Sequence, residues 1–97
     1  NLEHVFPRTP EDGDWPAFDR EQQRIYLHRL GNLVLLARAA NIRIGNHSFS
    51  EKRPILAASD LRLTREAAEP DAWTPDVIDD RQARMAELAV RAWPLNP

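Results

Sequence analysis

The chain has no cysteine. Disulfides and thiolate metal sites are therefore excluded, and any metal must be held by His, Asp, Glu, Asn or backbone oxygens. It has no run of about 18 apolar residues, the length that a membrane-spanning helix needs, and no signal peptide is visible. It has no internal repeat and no low-complexity segment. It also lacks an excess of positive charge: the formal net charge is −2, which weighs mildly against a nucleic-acid binder, although distribution matters more than the sum. What remains is a chain of 97 residues, 42% hydrophobic and 29% charged, which reads as one soluble globular domain with a modest core. Its first residue is Asn1 rather than Met, which leads us to expect a piece of a longer protein.

The charges are segregated. Between Arg38 and Arg53 stand four bases (Arg38, Arg43, Lys52, Arg53) against Glu51 alone, whereas Glu66, Glu69, Asp71, Asp76, Asp79 and Asp80 follow with no base among them. The basic segment could meet phosphate and the acidic one would face away from it. A mixed solvated surface is the plainer reading of charge alone.

Periodicity and punctuation suggest an α+β architecture. Residues 2–6 alternate loosely and include a Val, which suggests a short strand. "PRTPEDGDWP" is rich in Pro, Asp and Gly and must be loop. Asp19 caps a helix expected over about residues 20–29, with Gly31 as its C-cap. "NLVLLA", from Asn32, is the most strand-like run and should pair with the first strand. About 25 residues would separate the two strands, too many for a simple hairpin, and insertions of that size tend to be functional. Ser48 or Ser50 can cap a helix to about Ser59, with Pro54 near its first turn. A short helix over "LRLTREAAE" and a linker follow. Thr74 then caps a last helix that begins at Pro75, carries Val77, Ile78, Met85, Leu88, Ala89, Ala92 and Trp93 as its buried stripe, and ends at Pro94. Two strands alone are marginal in water, so the helices must supply most of the core. Trp15, Trp73 and Trp93 read as packing residues, Arg81 as a partner for nearby acids, and His28 and His47 as surface residues.

Three elements fall in an order with chemical meaning. Glu3 and His4 lie on the first strand in "EHVFP", Asn32 opens the second in "NLVLL", and Asn41 stands nine residues later at the expected start of a helix. This pattern resembles the HNH branch of the His-Me finger (ββα-metal) nucleases, with Glu where general HNH domains carry Asp. The positions that would hold zinc cysteines around Asn41 are Ala37 and Ala40, so this is a zinc-free version. "EHVFPRT", "LGNLVLLARAANIRIGNHSFSEKR", a Trp, a helix with an Arg and a terminal "AWP" are similar to the C-terminal nuclease domain of GmrSD-type restriction enzymes. The similarity runs from Glu3 to Pro94 and is most specific from Gly31 through Lys52.

The resemblance implies a ββα-metal core with a long inter-strand loop and additional C-terminal helices, forming one nuclease domain over residues 1–97. His4 would be the general base, a task that suits a neutral imidazole near physiological pH. Glu3 and Asn41 would hold one divalent ion, Mg²⁺ or Mn²⁺, as hard oxygen ligands. Asn32 would brace the long loop or orient His4. Lys52, Arg43 and Arg53 are candidates for phosphate contacts, and Asn46 and His47 would either touch DNA or support the ligands from behind. The implied function is DNA cleavage as the effector of a bacterial, cytoplasmic restriction system. Its partners would be DNA and an N-terminal nucleotide-hydrolysing sensor module of the same protein, with no membrane. Two other readings use the same scaffold: a non-catalytic module that docks DNA or a partner, and an RNase. Adjacent strand residues point to opposite faces, so Glu3 and His4 can serve one site only if the strand ends, twists or bulges at His4.

Overall fold

The computed structural model describes residues 1–45 and 47–92, without the side chains of Asn41, Ile42 and Arg43. The expected roles of Asn41, Arg43, Asn46, Trp93 and Pro94 therefore lie outside the described residues. Strand β1 (Leu2–His4) is followed by helix α1 (Arg20–Tyr26), a 3₁₀ turn (Leu30–Asn32) and strand β2 (Leu33–Leu35). Helices α2 (Arg38–Ile44), α3 (Phe49–Ala57), α4 (Arg62–Glu66) and α5 (Pro75–Ala92) complete a mixed α/β fold. None of the described helices is long and apolar enough to cross a membrane.

The two strands form an antiparallel pair in the register Leu2↔Leu35, Glu3↔Val34 and His4↔Leu33. Val34 on one face is buried, while Leu2 and Leu35, paired on the other, are exposed. So small a ribbon cannot stand alone, and the long loop between the strands folds back to cover it. Its Trp15 and Phe18 are buried against Phe6, with Phe18 stacked at 4.4 Å between ring centroids and Trp15 edge-on at 5.6 Å. Phe49 and Trp73, at 5.4 Å, extend the aromatic core towards α3 and the start of α5. Trp15 and Trp73 are thus packing residues, as expected.

The starts of α1 and α5 follow their local signals, whereas Ser48 at the start of α3 makes no side-chain capping bond. Asp19 Oδ1 accepts from Gln22 N (2.8 Å) while Asp19 N donates to Gln22 Oε1 (3.0 Å), a reciprocal cap that satisfies a donor with no partner inside the helix. Thr74 Oγ1 accepts from Val77 N (3.1 Å), with Pro75 at the first position of α5.

Other expectations need correction. Helix α1 stops at Tyr26, and Gly31 is not its C-cap but part of the 3₁₀ turn. The glycine is needed for closeness: a Cβ there would stand 2.1 Å from the carbonyl oxygen of Ile78 on α5. Asn32 precedes β2 instead of opening it. Asn41 is the fourth residue of α2 and not at its start, because the helix begins directly after Ala37, with the helix-forming Ala39 and Ala40 in its first turn. Pro54 lies inside α3, past the first turn, where its missing N–H leaves the Ser50 carbonyl without the usual helical donor. The buried stripe of α5 is real only near its start. Ile78 is fully buried, Val77, Met85 and Leu88 are half-buried, and Ala89 and Ala92 are exposed.

Candidate active site

Strand pairing stops at His4, and the chain bends through Val5 and Phe6. The ending that Glu3 and His4 need in order to share a site is therefore present. Two buried side chains hold it in place.

The first is Asn32, with no exposed surface. Its Oδ1 accepts from Phe6 N (2.8 Å) and from Trp73 Nε1 (2.9 Å). Its Nδ2 donates to the carbonyls of Phe6 (3.0 Å) and Leu27 (2.9 Å). Two acceptor lone pairs and two donors are all a carboxamide offers, so the side chain is saturated. The Asn32 carbonyl also receives Val5 N at 2.9 Å. Asn32 thus clamps the segment that leaves β1, ties it to the turn after α1, and locks both to the core indole.

The second is Lys52, the only lysine in the chain. It is fully buried and donates through Nζ to the carbonyls of Val5 (2.7 Å) and His4 (3.2 Å), with Nζ 5.3 Å from the centre of the Trp15 ring. Burial disfavours the ammonium and lowers its pKa from 10.5 to about 8, against the opposing field of Glu3. An inward clamp on the two residues at the strand end replaces the expected phosphate contact. The reason is position: the fourth residue of α3 faces the core, and the long stem carries the charge to two backbone carbonyls.

At the surface side of this bend stand the two candidate groups, Glu3 and His4. Glu3 is half-buried, and its Oε1 accepts from the backbone N of His4 (3.1 Å). The His4 ring is also half-buried, and its Nε2 lies 3.3 Å from Nδ1 of His28, with the rings edge-to-face at 73° and 5.3 Å apart. Burial, followed by the positive fields of Arg8 and His28, holds the His4 imidazole below the usual histidine range, with Glu3 pulling the other way. This shift favours the uncharged ring, the form that can accept a proton.

The remaining candidates lie elsewhere. His47 Nδ1 meets Glu51 Oε2 at 3.0 Å on the exposed start of α3. Arg53 is committed to structure, donating to the carbonyls of Ala68 (2.9 Å) and Glu69 (3.3 Å), with Asp71 3.8 Å away. This replaces the phosphate contact expected of it, since the acidic segment that follows α4 packs over its guanidinium. Arg81 does not pair with acids as expected. It donates to the carbonyls of Leu63 (2.8 Å) and Leu33 (3.1 Å), fastening β2 to α4 and α5. His28, expected at the surface, is exposed but also part of the site, a juxtaposition that no spacing in the sequence announces.

The donor set suits a hard cation. No thiolate is available, and Glu3 presents its carboxylate at a half-buried position. Among the described residues no group of three or more His, Asp or Glu stands ready to hold a metal. An ion here would rest on few protein ligands and keep several waters, the habit of Mg²⁺.

A family model for the C-terminal domain of GmrSD restriction endonucleases matches residues 1–88. The chain belongs to that family. No curated protein and no solved structure matches it. The matched stretch takes in the strand end, both clamps, His28 and most of α5, so the geometry described above lies within the GmrSD C-terminal domain. Membership points to a nuclease role related to restriction, with DNA as the substrate.

Proposed function

We propose that this GmrSD C-terminal domain is a metal-dependent DNA endonuclease of the HNH, ββα-metal type, the cutting effector of a restriction system. It would act with a nucleotide-hydrolysing sensor module of the same protein. The observation that carries the reading is the end of β1 at His4, where an imidazole and the neighbouring Glu3 carboxylate stand half-buried on a backbone that Asn32 and Lys52 clamp from inside.

His4 accepts a proton from the attacking water. The water oxygen keeps the electron pair and bonds to phosphorus, and the bond from phosphorus to the 3′ oxygen breaks, its pair going to that oxygen, which is then protonated from solvent. Glu3 and Asn41 would hold one Mg²⁺ or Mn²⁺, which when bound neutralises phosphate charge and stabilises the leaving oxygen. Asn32 and Lys52 position the base through the backbone and do not touch substrate. Arg43, Asn46 and His47 remain the candidates for DNA contact. With a net charge of −2, the domain binds DNA weakly by itself, because phosphate contacts dominate such affinity, and targeting comes from the sensor module. The test is cleavage of supercoiled plasmid by the intact protein with Mg²⁺ or Mn²⁺. His4→Ala should abolish it, and nicking by His4→Ala at the wild-type rate would overturn the proposal.

A further inference from the structure

The contact between His4 and His28 does more than bring two rings together. At 3.3 Å between Nε2 of His4 and Nδ1 of His28, two neutral imidazoles can share only one hydrogen: one ring donates and the other accepts. A neutral histidine carries one N–H. If His28 donated, the lone pair of His4 Nε2 would be consumed and His4 Nδ1 would bear the hydrogen, leaving no basic nitrogen. If His4 donates, its Nδ1 keeps a free lone pair, and that nitrogen has no hydrogen-bond partner among the described residues. The exposed His28 ring then turns its own N–H to water.

We propose that His28 is a positioning residue for the base: it accepts the hydrogen on His4 Nε2, fixes the ring orientation and tautomer, and leaves His4 Nδ1 to take the proton from water. The inference rests on the reading of His4 as the general base. Its structural support is the way the turn after α1 is fastened. Asn32 Nδ2 holds the carbonyl of Leu27, the residue before His28, at 2.9 Å. Arg29, the residue after it, donates through its backbone to Tyr26 O (3.2 Å) and through its guanidinium to Asp79 (3.1 Å). The same Asn32 side chain binds both backbone groups of Phe6, two residues after His4. One buried carboxamide therefore sets the separation of the two rings. When His4 takes its proton, the Nε2–H bond to His28 becomes charge-assisted and strengthens, so His28 also favours the state that forms as the water attacks. Partners of this kind behind a reactive or ligating imidazole typically matter by tenfold or more.

The test compares His28→Ala and His28→Asn with wild type in the intact protein, cutting supercoiled plasmid with Mg²⁺, alongside long-range proton–nitrogen NMR spectra that read the tautomer of His4. His28→Ala should lower kcat about tenfold with KM for DNA little changed. His28→Asn, whose amide oxygen reaches the place of Nδ1, should restore most of the loss. The spectra should show His4 protonated at Nε2 in wild type and in His28→Asn, and a mixture of tautomers in His28→Ala. Wild-type kcat in His28→Ala, a loss that Asn does not recover, or a wild-type His4 that carries its hydrogen on Nδ1 would overturn the inference. His4→Ala separates the two failures. If it cuts normally, the base assignment itself falls; if it is inactive while His28→Ala cuts like wild type, only the role of His28 falls.

Discussion

Replacing Asn32 by Ala separates a structural clamp from a group that acts on substrate. The side chain is fully buried and makes four hydrogen bonds, to Phe6 N, Phe6 O, Leu27 O and Trp73 Nε1. Truncation leaves two buried donors, Phe6 N–H and the Trp73 indole N–H, without acceptors. At ~2 kcal/mol each, the middle of the range for an orphaned buried polar group, they account for about 4 kcal/mol. The two carbonyls lose a donor each and add less. A domain of this size has roughly 5–15 kcal/mol of stability in all, so Asn32→Ala should remove about a quarter or more of it. Urea unfolding followed by tryptophan fluorescence measures this directly, because Trp73 is one of the orphaned partners. Asn32→Asp provides the finer comparison. It keeps acceptors for Phe6 N and Trp73 Nε1 but turns an oxygen towards two carbonyls, so it should be destabilised at neutral pH and partly recover in acid, where the carboxyl gains a hydrogen to donate. A loss under ~1 kcal/mol in Asn32→Ala, no more than a typical single hydrogen bond, would refute the clamp. So would full stability combined with lost cleavage, which would make Asn32 a residue that meets the substrate.

Three further outcomes follow from the same contacts. Gly31→Ala places a Cβ 2.1 Å from the Ile78 carbonyl oxygen and should cost about 1–3 kcal/mol, the range for overpacking; an unchanged Tm would mean that the approach to α5 yields freely. Lys52 keeps its proton up to about pH 10.5 when unfolded but only to about 8 when folded, so the unfolded state binds more protons between these values and stability should rise with pH across them, by about 3 kcal/mol if fully expressed. Lys52→Met should flatten that rise, and a wild-type curve that is flat or falls between pH 8 and 10 would contradict the burial of the amine. Arg53→Ala should lower stability by about 1–3 kcal/mol through the lost bonds to Ala68 and Glu69 while leaving the salt dependence of DNA binding as it was; a shallower salt slope would show a phosphate contact after all.

What could be read from the sequence was local. Asp19, and Thr74 with Pro75, mark helix starts because capping depends on close neighbours in sequence, and both appear where the pattern put them. The strand end at His4 was also foreseeable, since a carboxylate and an imidazole side by side can share a site only where the pleat stops. What escaped depended on distant partners. Gly31 looked like a C-cap because glycine commonly is one, yet its reason is the backbone of Ile78, 47 positions along the chain. Lys52 and Arg53 read as phosphate contacts and Arg81 as a partner for acids, because an unpaired buried charge is expensive. Each is instead directed at backbone carbonyls, which no local pattern discloses. His28 stands 24 residues from His4 in sequence and enters the site only because the turn that carries it is pinned to Asn32.

The same division decides how stability and activity are coupled here. Asn32 and Lys52 are fully buried, and their polar atoms serve the backbone of His4, Val5 and Phe6. Changes at either should move folding and cutting together, since the strand end cannot hold its shape without them. Glu3, His4 and His28 lie on the outer side of the bend, half-buried or exposed, and bond mainly to one another: Glu3 to His4 N, and His4 to His28. Removing one of these leaves no deeply buried group unpaired, so it should cost little stability. A domain built this way keeps its candidate groups on the outer side of a backbone corner and confines the clamping contacts of Asn32 and Lys52 to the inside. Loss of cleavage without loss of folding at His4 and His28, set against loss of both at Asn32, is the pattern this arrangement requires.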